Sequence, residues 1–92
     1  MIKRLVMKRS EIVVGGIYTN QKGAVRKVIG MGPEFKLYES QEDGECLQYE
    51  QLEGRKYPYA KGISESGNQI NNCTVTAFAN WAKEQTDIGP SA

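Results

Sequence analysis

The 92-residue chain contains no histidine, and only two cysteines, three prolines and one tryptophan. Without histidine it lacks the commonest general base near neutral pH and a common metal ligand. Cys46 and Cys73 are too few for a disulfide framework and too sparse for a zinc site, which needs four ligands with some in close pairs. Both read as buried structural thiols of a protein in a reducing compartment, the cytoplasm. Long apolar runs are missing as well. The longest aliphatic stretch is Ile12-Val13-Val14, against roughly 18 residues for a membrane span. Lys3, Arg4, Lys8 and Arg9 are not followed by the apolar segment of a secretory signal. No membrane partner, cofactor or metal is expected.

With 39% hydrophobic residues and a net charge of +1, the composition is that of a folded chain. The length allows one core, which buries roughly two thirds of the unfolded surface and leaves little material for a deep pocket. The expected organisation is a basic, disordered arm over residues 1–9, a single domain over 10–87 and a tail over 88–92, with Met7 as an alternative start. The small net charge hides a strong segregation. Residues 1–33 carry +6, residues 34–54 carry −6 and residues 55–92 carry +1. Such a polar molecule can steer a charged partner to one face, although two solvated faces that attract each other within the fold would give the same pattern.

Gly and Asn punctuation divides the first half into short strands at 12–14, 17–18 and 24–31. Gly32-Pro33 breaks the third. Residues 34–40 alternate, with Phe35 and Leu37 on one face and Lys36 and Tyr38 on the other, as a half-buried strand does. A turn at 41–45 containing Asp43-Gly44 then returns residues 46–52 antiparallel to that strand. From Arg55 to Asn72 the apolar pattern thins to Ile63 and Ile70, so the segment is a long loop or a pair of short strands. The clearest helix runs from Thr74, its N-cap, to Gln85. Val75, Phe78, Ala79 and Ala82 fall at i, i+3, i+4 and i+7 on one stripe, with Trp81 at its edge. The fold class is mainly β: a small, partly open antiparallel barrel of about five strands with one C-terminal helix closing an end.

The run Val14-Gly15-Gly16-Ile17-Tyr18-Thr19-Asn20-Gln21-Lys22-Gly23-Ala24-Val25-Arg26-Lys27-Val28, with Cys73 and Phe78-Ala79-Asn80-Trp81-Ala82 downstream, resembles small proteins encoded by phages and prophages. Its first half is similar to the KOW-like, Src-homology-3-like barrel. Phage proteins of this size include anti-CRISPR inhibitors. The resemblance therefore implies a non-catalytic protein in the host cytoplasm that inhibits or modulates a host nucleoprotein complex, such as a CRISPR effector with its guide RNA. An autonomous KOW-like RNA- or DNA-binding module is the alternative, as is a structural virion or assembly protein.

Three constellations carry binding chemistry. Lys22, Arg26 and Lys27 stand at a hairpin tip and the strand leaving it, where cations meet phosphates. Arg26 and Lys27 face opposite ways in a regular strand, so both serve one partner only across a bulge, which the irregular spacing of Val25, Val28 and Ile29 suggests. The segment Arg55-Lys56-Tyr57-Pro58-Tyr59-Ala60-Lys61 interleaves cations with aromatics as a site for single-stranded nucleic acid does; an edge strand guarded by Pro58 and lysines is the other reading. Asn68, Asn71 and Asn72 offer amides to base edges, or simply make turns. Glu42, Asp43 and Glu45 are protein-contact candidates. They lie on a flexible turn without the scaffold that catalytic carboxylates require, and no enzyme activity is expected.

Overall fold

Turn chemistry sets the first hairpin in this computed structural model, which describes residues 7–41 and 45–86. Strand β1 (Ile17–Thr19) pairs antiparallel with β2 (Val25–Met31). Between them the Asn20 carboxamide oxygen accepts the backbone N–H groups of Lys22 at 2.8 Å and Ala24 at 3.1 Å, which closes the turn on its own side chain. Strand β3 (Cys46–Glu53) lies between β2 and β5 (Gln69–Thr74); β4 (Gly62–Ile63) borders β5, and β6 (Glu84–Thr86) borders β1. The result is one antiparallel sheet of six strands in the order β4-β5-β3-β2-β1-β6. The sheet is open, and its edges are strands of two and three residues, short enough to offer little template for unwanted pairing.

Helix α1 (Val75–Trp81) begins where Thr74 ends β5, with the Thr74 hydroxyl accepting from the Ala77 N–H at 3.0 Å. Val75, Phe78, Ala79 and Ala82 are buried, as the apolar stripe predicts. Phe78 is the centre of the core: its ring centroid lies 5.5 Å from Tyr18, edge to face, 5.7 Å from Tyr49 and 5.2 Å from Trp81. Val28, Leu47, Ile12 and Met7 complete the packing. No helix among the described residues is long and apolar enough to cross a membrane.

Three expected elements differ. Residues 12–14 form no strand; a 3₁₀ turn at Arg9–Glu11 precedes them, and Ile12 enters the core while Val13 and Val14 stay exposed. The cause is Tyr18, whose hydroxyl donates to the Glu11 carbonyl at 2.7 Å and accepts from the Val13 N–H at 2.9 Å, bending the chain there. Residues 34–40 are not a strand either. Gly32 at φ +153° and the ring of Pro33 start a 3₁₀ turn at Pro33–Phe35, and Phe35 folds back on Gly30, where a β-carbon would come within 2.8 Å of its ring. Leu37 and Tyr38 are both exposed, so the alternation has no buried face to serve, and the neighbour of β3 is β2. The helix stops at Trp81, because beyond Ala82 the stripe has no further apolar residue to bury; the chain instead extends, with the Lys83 N–H donating to the Thr19 carbonyl at 2.9 Å and β6 pairing with β1. The 55–72 segment resolves into β4 and the start of β5. Residues 7–9, assigned above to a disordered arm, are folded: Met7 is in the core and its N–H donates to the Ala79 carbonyl at 3.3 Å. The rest of that arm and the tail from residue 88 lie outside the described residues.

Candidate functional site

Arg26 falls in phase with Val28 on the inner face of β2, and only 8% of it is exposed. An inward arginine needs partners, and the fold supplies neutral ones. The Nε–H donates at 2.8 Å to the side-chain oxygen of Gln51, directly across the ladder on β3, and Nη2 donates at 3.3 Å to the Tyr57 hydroxyl. The guanidinium carbon stands 4.5 Å from the Tyr49 ring centroid and 4.2 Å from that of Trp81. Each such desolvated cation–π contact is worth about 2 kcal/mol or more, which offsets part of the cost of burying the charge. No carboxylate among the described residues lies within ion-pair reach of Arg26.

The loop after β3 is fastened over this arginine by two glutamines. Gln51 donates its amide to the carbonyls of Glu53 at 3.3 Å and Arg55 at 3.4 Å. Gln69 clamps Tyr57 from both sides, accepting from its N–H at 2.8 Å and donating to its carbonyl at 2.7 Å. Arg55 lies over the Tyr57 ring at 5.6 Å. Together these bonds leave an open cavity of about 430 Å³ whose lining includes Arg26 and Tyr49 below, Tyr57, Pro58 and Tyr59 along the loop, and Asn71 and Asn72 of β5. Tyr59 is 89% exposed, and Arg55, Lys56 and Lys61 are exposed on the same loop.

The sequence candidates are thus sorted by the sheet. Arg26, Tyr57, Tyr59, Asn71 and Asn72 line one cavity, and Arg55, Lys56 and Lys61 belong to the same loop as the two tyrosines. Lys27 does not join them. The β2–β3 register shifts between Val25 and Arg26 and again between Val28 and Gly30, but Arg26 and Lys27 pair with consecutive residues, Gln51 and Glu50, so they face opposite sides. Lys22 sits exposed on the β1–β2 turn, separate from the cavity. Asn68 is structural: its amide donates to Glu50 at 2.9 Å beside the Ser64 hydroxyl, which donates at 2.8 Å, and this holds the β4–β5 turn. Asn72, which also lines the cavity, accepts from its cross-strand neighbour Gln48 at 3.0 Å. Glu45 pairs with Arg9, while Glu42 and Asp43 lie outside the described residues.

Trp81, Tyr49 and Gln51 are not site residues in the sequence pattern, and Gln69 enters it only as part of the 68–72 amide run. Trp81 reads there as the edge of a helix stripe, and only its approach to Arg26 reveals a second role. The signal that was present is Arg26 itself, a cation two residues from Val28 on a buried phase. Of the two cysteines expected to be buried, Cys46 is and Cys73 is only partly so; the Cys73 thiol, on the Tyr49 side of β5, is nonetheless pushed up to about 12 by desolvation, against the opposing pull of the Arg26 charge. Desolvation likewise raises Tyr49, again opposed by Arg26. Both shifts favour the protonated form. Among the described residues, no three of His, Cys, Asp and Glu stand together as metal ligands.

Compared with known proteins, the chain matches no family model, no curated protein and no solved structure.

Proposed function

We propose that this is a non-catalytic binding protein that takes a strand of single-stranded nucleic acid on the face formed by β3, β5 and the 54–61 loop. The observation that carries this reading is Arg26: a buried cation with neutral partners only, lining a cavity with three tyrosines, next to a loop that carries three exposed cations. An anion is the ligand that completes such a charge. Aromatic rings and flanking lysines are what a splayed strand uses, the rings for bases and the cations for backbone.

The phage resemblance supports a setting in which that strand belongs to a host nucleoprotein complex, a CRISPR effector with its guide RNA being the concrete case, and in which binding inhibits or modulates the complex. Titrating labelled single-stranded RNA and DNA at two salt concentrations tests the reading. Binding should weaken as salt rises, and Lys56→Ala with Lys61→Ala should flatten that dependence. Capture from infected-cell lysate, with and without nuclease, then separates a free strand from one presented by an assembly. If naked strands do not bind and nothing captured is lost on nuclease treatment, the reading fails.

A further inference from the structure

We infer that the Arg26 cavity is a subsite for one nucleotide, with the phosphate on the free edge of the Arg26 guanidinium and the base against the tyrosines of the 54–61 loop. This rests on the strand-binding reading above and specifies which unit of the strand is held and how.

An arginine carries five N–H donors. The Nε–H is given to Gln51 and one Nη2–H to Tyr57, and Nη1 has no partner among the described residues. Yet no buried side-chain nitrogen or oxygen among those residues lacks a hydrogen-bond partner. Nη1 therefore keeps some access to solvent, and Arg26 is among the residues that line this cavity. The guanidinium carbon stands over the Tyr49 and Trp81 rings, while its N–H groups donate in the guanidinium plane, the geometry that suits phosphate oxygens.

A second donor stands on the same face. Asn71 pairs with Tyr49 in the β3–β5 register; its side-chain oxygen accepts from the Lys61 N–H at 3.3 Å, and its amide nitrogen has no acceptor among the described residues. Both unspent groups are donors, and no carboxylate is among the residues lining the cavity, so the complementary ligand is an oxyanion. It is more than a bare oxyanion. The cavity of about 430 Å³ lies within the range of about 300–1,000 Å³ usual for small-molecule sites. Tyr57, Pro58 and Tyr59 give it apolar walls on the loop side, and Tyr59 spends almost its whole ring on solvent. A planar ring attached to a phosphate fills both parts, and in a strand that unit is a nucleotide.

Trp81 is the single tryptophan of the chain and touches Arg26, so its fluorescence reports occupancy. The full chain is titrated with adenosine 5′-monophosphate, adenosine, inorganic phosphate, phenyl phosphate and a single-stranded oligonucleotide. The mononucleotide should bind at least tenfold more tightly than inorganic phosphate, adenosine or phenyl phosphate, and it should compete with the oligonucleotide. Tyr59→Ala, which alters an exposed side chain and leaves the fold intact, should remove that advantage over inorganic phosphate. Asn71→Asp should weaken the mononucleotide at least tenfold by placing a carboxylate beside the anion. Equal binding of phosphate and mononucleotide, of adenosine and mononucleotide, or of phenyl phosphate and mononucleotide overturns the nucleotide subsite. So does an oligonucleotide that binds without competition from the mononucleotide, in which case strand binding itself stands. If no phosphate-bearing probe binds, the nucleotide subsite is overturned, and the strand-binding reading falls with it unless lysate capture yields a partner that nuclease removes.

Discussion

Arg26 and Trp81 join the cavity to the helix: the guanidinium carbon of one stands 4.2 Å from the ring centroid of the other, with Phe78 packed against Trp81 at 5.2 Å. The helix therefore does more than close the core. It fixes the position of the buried cation from behind, while Gln51 and Tyr57 fix it in the plane.

Replacing Trp81 with Leu should release that support. The loss of a desolvated cation–π contact costs about 2 kcal/mol or more, and the mutant should melt earlier by circular dichroism. It should also bind the mononucleotide and single strands more weakly than wild type, whereas a role confined to core packing would lower stability and leave affinity alone.

Phe78 is the pivot of the core, touching Tyr18, Tyr49 and Trp81. Phe78→Ala should cost about 3–5 kcal/mol in urea unfolding, a large share of what a domain of this size has. An unchanged unfolding midpoint would contradict the core as described.

Tyr18→Phe removes one hydroxyl that both donates to Glu11 and accepts from Val13. Two backbone groups lose their partner, for about 1–3 kcal/mol. The loss should appear as faster amide exchange at Val13 ahead of the sheet, because the bond holds only the 11–13 bend.

Stability should also fall at alkaline pH. Burial raises the Cys73 thiol to about 12, above the ordinary value of roughly 8.5 that it recovers on unfolding. The folded state keeps its proton longer, so the contribution is fully present below about pH 8.5 and is lost as pH rises toward about 12. Cys73→Ala should flatten part of that decline, with the raised Tyr18 and Tyr49 hydroxyls accounting for more of it. In the folded protein at pH 8 the Cys73 thiol should resist alkylation, and it should react once the chain is unfolded in urea.

The sequence by itself determined the elements whose signals are local. The Asn20 turn, the strand from Val25, the apolar stripe of α1 and its Thr74 cap each depend on residues within a few positions of one another, and all are present. Tertiary structure decided the rest. Residues 34–40 alternate like a strand but find no neighbour, since Phe35 packs on Gly30 and β2 already holds β3; alternation describes a face, and a partner is needed to bury it. Residues 83–85 continue a helix in sequence but lie along β1, because the free edge of that strand satisfies their backbone groups and no apolar stripe remains to hold them helical. The proposed binding face is the clearest case. Its cations were legible as a list, but the sheet register alone separates Arg26 from Lys27, and only the folding of the 54–61 loop over β3 and β5 brings Tyr57 to the guanidinium from 31 positions away. Charge can be read along a chain, whereas the desolvation that gives Arg26 its chemistry exists only when distant segments close around it.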